Sequence, residues 1–302
     1  MGAQGLTSID LNSDDALDAL RASIVDSLST AVDLSPPVPM SLRSAVGYAL
    51  LGPSKRVRPV VVHLIAAGLN RIDPVAIQVG AAVEMVHTAS LVLDDLPCMD
   101  DAAMRRQRPT THRVYGEATA ILASIALLNR AFGVLAALDI PDPATRLRLI
   151  EILENAVGWN GLVAGQELDI LGNVDGDRAS AEHLNWLKTG VLFCAAAEMG
   201  GILRGLEADQ LAHVRDFARE LGLAFQMADD IIDRTASQQD AGKDVGKDAG
   251  KSNVVNLLGL EASKQACVEH LARADASLVL SGIDPAPVRA LVARHFKLGS
   301  TA

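Results

Sequence analysis

Four carboxylates fall within eight residues, Asp94-Asp95-Leu96-Pro97-Cys98-Met99-Asp100-Asp101, directly behind the apolar run Ala81 to Leu93. No other stretch constrains the fold as tightly. The run carries apolar side chains nearly all round (Val83, Met85, Val86, Leu91, Leu93), which predicts a helix enclosed by other helices rather than one with a single greasy stripe. Asp94 and Asp101 are seven residues apart, so two helical turns would bring them near one face. Pro97 denies the helix one amide donor and predicts a kink between the acidic pairs. Carboxylates this dense repel one another and rise in pKa unless cations neutralise them. Hard divalent ions, Mg²⁺ above all, suit a few carboxylates completed by waters and phosphate oxygens. Taken alone, the run reads equally well as a solvated acidic helix end.

Two further features tilt the balance. Basic residues follow at once in Met104-Arg105-Arg106-Gln107-Arg108-Pro109-Thr110-Thr111-His112, and a second acidic cluster, Asp229-Asp230-Ile231-Ile232-Asp233, lies behind another apolar run, Leu221 to Ala228. Asp229 and Asp233 share a helical face at their spacing of four. Two aspartate clusters facing each other across a helical cavity, with arginines beside them, make a cage for a metal-bound diphosphate.

Hydrophobic residues are 49% of the 302, yet aromatics are only 3%. Alanine and leucine fill the gap, which favours helices over sandwiches or barrels. The expectation is an all-α, single-domain bundle of long helices around a central cavity. Residues 1–12 read as a flexible N-terminus and 13–302 as one domain, with no Pro/Gly/Ser-rich linker dividing it.

Along the chain, Lys55, Arg56 and Arg58 open a helix, where the dipole disfavours cations. A bound anion removes that conflict. His63 reads as a core histidine. His87 lies seven residues before Asp94 and can point into the same cavity, either as a structural group or as a helper to bound phosphate. The glycine-rich stretch Gly158 to Asp169 allows close helix packing near a ligand, with Gln166 and Asp169 one turn apart. Lys188 stands in an apolar stretch and should snorkel unless an anion holds it. Residues 235–253, with Gly242-Lys243-Asp244 and Gly246-Lys247-Asp248, lack apolar periodicity; they are either a surface loop or a lid that brings lysines to a diphosphate.

The net charge of −10 argues against a nucleic-acid partner. Three widely spaced cysteines suggest a reducing compartment. The acidic N-terminus lacks the pattern of a signal peptide, and apolar runs such as Pro59 to Asn70 are too short to span a bilayer. A cytoplasmic protein without an integral membrane segment is expected.

From Lys55 to about Gly259 these motifs, in this order, resemble the isoprenyl diphosphate synthase (trans-prenyltransferase) family, and most of all bacterial geranylgeranyl diphosphate synthases. DDLPCMDD followed by RR-x-RPT-x-H resembles the first aspartate-rich motif, and Phe225-Gln226-Met227-Ala228 with DDIID the second. The resemblance implies the isoprenoid synthase fold, a homodimer with the helix around His87 near the subunit contact, and Mg²⁺ as cofactor, three ions per active site. It implies that Asp94, Asp95, Asp100 and Asp101 bind the metal from one wall and Asp229, Asp230 and Asp233 from the other. Arg105, Lys188, Thr189, Gln226 and Lys243 would hold the allylic diphosphate. Lys55, Arg58, His87 and Arg106 would hold isopentenyl diphosphate, with Lys251 on the lid. The implied catalytic set is Asp94, Asp95, Asp229, Asp230, Lys188 and Lys243. Gln107 departs from the family's usual glycine, and altered loop packing rather than lost activity is expected there.

The implied reaction is head-to-tail condensation of isopentenyl diphosphate with allylic diphosphates. Ala89 and Ser90 stand five and four residues before Asp94, where related farnesyl diphosphate synthases commonly carry an aromatic stopper. Both are small, which favours geranylgeranyl over farnesyl diphosphate as product. A class I terpene cyclase fits less well, since it normally carries an Asn/Ser/Glu metal motif in second place and lacks a segment like Lys55 to Pro59. A silent modulatory subunit would typically have lost one aspartate motif, and both are intact.

Overall fold

The computed structural model describes residues 14–32, 37–67, 72–172, 178–235 and 259–296. The chain runs through α1 (Asp14–Ala31), α2 (Met40–Leu50), α3 (Val57–Ala67), α4 (Pro74–Asp94), the strands β1 (Met104–Arg105) and β2 (Arg108–Pro109), and α5 (Thr111–Tyr115). It continues through α6 (Glu117–Ala136), α7 (Pro143–Val157), α8 (Leu162–Leu171), α9 (Arg178–Asn185), a π-helical turn (Trp186–Gly190), α10 (Val191–Arg204), α11 (Ala208–Thr235), α12 (Leu260–Leu280) and α13 (Ala286–His295). The expected all-α bundle is what forms. The expected flexible N-terminus, 1–12, lies outside the described residues.

Helix α4 is the axis of the bundle. Asp73 caps it, accepting from the amides of Val75 and Ala76, and Pro74 occupies the first turn, where its missing N–H costs nothing. Its buried face wraps almost fully round, from Ala76 to Val92, as the continuous apolar run requires. Helices α1, α2, α3, α6 and α10 pack against it. Helix α11 packs on α12, α10 and the π turn, and this second group faces the C-terminal end of α4.

Two expectations are corrected here. The helix does not continue through both acidic pairs with a kink at Pro97; α4 ends at Asp94, and residues 95–103 form turns and irregular chain. The residue before a proline is steered away from helical geometry, and the amides of Asp100 and Ala102 fold back onto the carbonyls of Asp94 and Asp95. Asp101 takes φ +43° and so shares no helical face with Asp94. The apolar side chains left exposed on α6 are Ile121, Leu122 and Ile125.

By length and hydropathy α4, α6 and the segment 179–204 could each cross a membrane, although most of the apolar window is buried inside the fold in the first and last of these.

The one hairpin among the described residues pairs Met104 with Pro109 and Arg105 with Arg108. Its two central residues, Arg106 and Gln107, have φ +53° and +62°. This is the type I′ geometry that right-handed strand twist selects and that glycine adopts without strain. Gln107 therefore occupies a position where glycine is the unstrained choice. Gln107→Gly is expected to raise stability by about 0.5–1 kcal/mol, measured as a shift of the urea midpoint at constant slope.

Candidate active site

Three structural units converge beyond the C-terminal end of α4. The first is the aspartate turn with the hairpin behind it. Asp94 is half-buried and Asp95 almost wholly so. Arg105, from β1, donates through Nε and Nη2 to Oδ1 of Asp95 at 3.0 and 2.6 Å. Burial pushes the Asp95 carboxyl up while Arg105 pulls it down, and the net direction is up. Burial also works against the charge on Arg105, but Asp95 outweighs it and holds the guanidinium above its ordinary value. For Asp94, burial pushes the carboxyl up to about 6; Lys188 opposes this and Asp100 adds to it. Asp101 stands apart on the surface, 3.8 Å from Arg113.

The second unit is the π turn with α8 and α11 around it. Lys188 reaches Oδ2 of Asp169 at 2.6 Å. Thr189 donates to Oε1 of Gln226 at 2.8 Å, and Gln226 Nε2 donates to Oδ1 of Asp230 at 2.8 Å. Asp230 is buried and Asp229 is exposed at the same helix end. Two glycines let the units close up. A Cβ on Gly165 would stand 3.0 Å from the carbonyl carbon of Leu187 and the amide nitrogen of Lys188, and one on Gly222 3.1 Å from Gly190 Cα. Asp233 lies one turn further along the α11 backbone, and its side chain is outside the described structure, as are Lys243, Lys251 and residues 236–253 of the expected lid.

The third unit is deeper. Arg58, in the first turn of α3, donates through Nη1 to His87 Nε2 at 3.2 Å and lies 4.5 Å above the Phe193 ring centre. A guanidinium has no acceptor, so this ring nitrogen must be the unprotonated one. Burial, with the charges of Arg58, Arg106 and Arg105, holds His87 well below its ordinary pKa, so the ring is neutral. Burial likewise lowers Arg58 to about 10, with Glu84 and Asp229 acting against it. Arg106 is also lowered, by burial first. Lys55 is exposed.

Most of the predicted residues of the described chain, Asp101 and Lys55 excepted, thus gather in two groups that interact across a gap. Lys188 influences Asp94 across the gap, and Asp229 influences Arg58. Arg56, one of the three clustered cations, is not among them. It is buried beneath the loop with Nη1 2.6 Å from Glu84 Oε1, and its Nη2 donates to the carbonyls of Leu50 and Gly52. Sequence reasoning passed over Asp169 as a partner of Lys188, although its one-turn spacing from Gln166 within a glycine-rich helix was the available signal. Gln166 itself reaches the aspartate turn, with Nε2 3.8 Å from Met99 Sδ.

Among the described residues, no three His, Cys, Asp or Glu side chains form a ready-made metal cage. Mg²⁺ keeps several waters and takes one or two carboxylates together with substrate phosphates. The half-buried Asp94, its carboxyl raised, stands with Asp95 and Asp100 as a hard-oxygen set, so the residues fit the ion.

The likeness to known proteins points the same way. Residues 39–277 match the polyprenyl synthetase family. The geranylgeranyl diphosphate synthase of Pantoea ananas is 44% identical over 239 residues, 76% of this chain and 77% of that one. Geranylgeranyl pyrophosphate synthase 3, chloroplastic, of Arabidopsis thaliana is 40% identical over 278 residues, 89% of this chain and 77% of that one. The geranyltransferase of Helicobacter pylori, solved in complex with magnesium and isoprenyl diphosphate, superposes with a TM-score of 0.82 at 29% identity, covering 94% of this chain and 99% of that one. Two aspartate walls, the cations between them and a match over most of the chain agree: this protein belongs to the polyprenyl synthetase family.

Proposed function

We propose that the protein is a Mg²⁺-dependent prenyltransferase that condenses isopentenyl diphosphate head-to-tail with allylic diphosphates, giving geranylgeranyl diphosphate as main product. The observation that carries this reading is the pairing of two acidic walls with two separate groups of cations, Arg105 with Lys188 and Arg58 with Arg106.

Asp94, Asp95 and Asp100 would hold the ions from one wall, and Asp229, Asp230 and Asp233 from the other, with the three-ion complement part of the same proposal. When bound, Mg²⁺ supplies positive charge to the departing diphosphate. Lys188, Thr189, Gln226 and Arg105 grip the allylic diphosphate, and holding that charge in a preorganised site is what lets the allylic C–O bond break. Asp169 keeps the Lys188 ammonium in place before substrate arrives. Lys55, Arg58 and Arg106 bind the diphosphate of isopentenyl diphosphate, whose double bond attacks the allylic cation. Neutral His87 orients Arg58 and adds no charge of its own. Apolar helix walls keep water from quenching the cation. None of the described side chains stands out as a base, so the final proton passes to the released pyrophosphate.

Two finer points belong to the same reading. The exposed stripe Ile121, Leu122 and Ile125 of α6 is the face on which a homodimer would form, since contiguous exposed apolar surface marks interaction sites. The free thiols Cys98, Cys194 and Cys267 and the net charge of −10 suit the cytoplasm.

Product length is the direct test. With excess isopentenyl diphosphate, the unmodified protein is expected to yield mainly geranylgeranyl diphosphate; mainly farnesyl diphosphate would overturn the assignment. Ser90 lies on the His87–Asp94 face and is half-buried, whereas Ala89 is packed fully into the core. Ala89→Phe and Ser90→Phe are both expected to shorten the product to farnesyl diphosphate. The former also carries an overpacking cost of about 1–3 kcal/mol, so Ser90→Phe is the cleaner variant.

A further inference from the structure

Lys55 is held by residues far from it in sequence. Its carbonyl accepts from Nε of Arg21, on α1, at 3.2 Å. The same guanidinium donates through Nη1 to Asp18 at 3.1 Å and meets His295 Nε2, at the end of α13, through Nη2 at 3.1 Å. His295 Nδ1 lies 2.8 Å from the Leu291 carbonyl. A carbonyl only accepts, so Nδ1 carries the proton and Nε2 is left to accept from Arg21. Arg294, next along α13, places Nη2 2.8 and 2.9 Å from the two oxygens of Asp18. The first and last described helices are thereby clasped together at the backbone of one residue.

That residue lies in a segment with no regular hydrogen bonding of its own, between the turn after α2 and the start of α3. On its far side the chain is tied down: Arg56 takes φ +51°, its amide donates to Ser54 Oγ at 3.3 Å, and Ser54 Oγ donates to Glu84 at 3.1 Å. The Lys55 side chain remains exposed on a backbone fixed from both directions. A segment that had to become ordered when its ammonium met an anion would lose backbone entropy on binding, and fixing that backbone beforehand removes this part of the cost.

We propose that Arg21, braced by His295, is a positioning residue for the Lys55 arm of the isopentenyl diphosphate subsite. This rests on the reading of Lys55 as a ligand of that diphosphate. The residue touches no substrate itself and acts through the Lys55 peptide.

The test measures both Michaelis constants and kcat in a variant set. Arg21→Ala is expected to raise KM for isopentenyl diphosphate about fivefold, the size of one ordinary hydrogen bond, with KM for the allylic substrate and kcat nearly unchanged. His295→Ala should act in the same direction and less strongly. Arg21→Lys, a milder change that keeps the charge, should fall between wild type and Arg21→Ala. Once Lys55→Ala is present, adding Arg21→Ala should raise KM no further, because the arm being positioned is gone. Arg289→Ala is the control, since it removes a different α13 tie, to Asp275 at 2.5 and 2.7 Å, and should leave both constants alone. Additive effects of Arg21→Ala and Lys55→Ala, equal changes in both Michaelis constants, or the same effect from Arg289→Ala would each overturn the proposal in favour of general loosening. No effect of Lys55→Ala would instead remove the subsite assignment beneath it, and the proposal would fall with it.

Discussion

Asp94→Ala is expected to lower turnover by two orders of magnitude or more, and Asp229→Ala to do the same from the other wall. The scale follows from what each carboxylate does. It helps hold the ions that offset charge on the leaving diphosphate, and removing one preorganised group that stabilises a transition-state charge typically costs on the order of a hundredfold to a thousandfold. About 1.4 kcal/mol of lost stabilisation is tenfold in rate, so even a partial loss is easily measured. Chelation of Mg²⁺ should abolish turnover in the unmodified protein. Affinity for the ion should also fall as the pH drops through about 6, because burial raises the Asp94 carboxyl to that value and a proton then competes for the same oxygens. Single-turnover rates under a Mg²⁺ titration at about pH 7 and pH 5, roughly one unit above and below that pKa, separate the two effects. Full activity in the presence of chelator would sink the ion-cage reading.

The largest effect on stability is expected at Glu84. Its carboxylate meets Arg56 at 2.6 Å with both side chains almost fully buried, 1% and 2% exposed. Exchanging a buried pair for apolar residues can be neutral, but removing one partner leaves an uncompensated charge and costs about 3–5 kcal/mol. Against a total of about 5–15 kcal/mol for a typical domain, that is much of the margin. Glu84→Ala should therefore melt far below the unmodified protein, and Glu84→Ala combined with Arg56→Met should recover part of the loss. If the double variant were less stable than the single, the guanidinium would owe its place to the Leu50 and Gly52 carbonyls rather than to Glu84. The pair also supports the site, since it pins the turn from which Lys55 and Arg58 emerge.

What could be read from the residues alone was set by the range of the interactions involved. The enclosed helix α4 was legible because burial all round leaves an unbroken apolar run. The two acidic walls were legible because like charges at such density need a partner. Pro97 was ambiguous, since the same residue kinks one helix and ends another, and the outcome depended on amides folding back onto Asp94 and Asp95. Arg56 could not be told from Lys55 and Arg58 by sequence, because the carboxylate that claims it lies on another helix, 28 positions along. Asp101, grouped with the metal-binding aspartates by its place in the motif, is turned outward by its positive φ. The partnership of Asp169 with Lys188 was hidden for the same reason as that of Arg56 with Glu84.

The π turn at Trp186–Gly190 has a consequence for how this chain tolerates change in length. A turn closed by i→i+5 bonds holds one residue more than its α-helical neighbours, and each residue in an α-helix advances the face by about 100°. Helix α9 and helix α10 are therefore out of phase by that angle, and the offset is what lets Lys188 and Thr189 point at the acidic wall while Leu192, Phe193 and Ala196 remain in the core. Deleting a single residue of the turn other than Lys188 or Thr189 would restore an unbroken helix and set those two demands against each other. The core would win, because it buries far more surface, and the lysine would swing off its site in a protein that still folds.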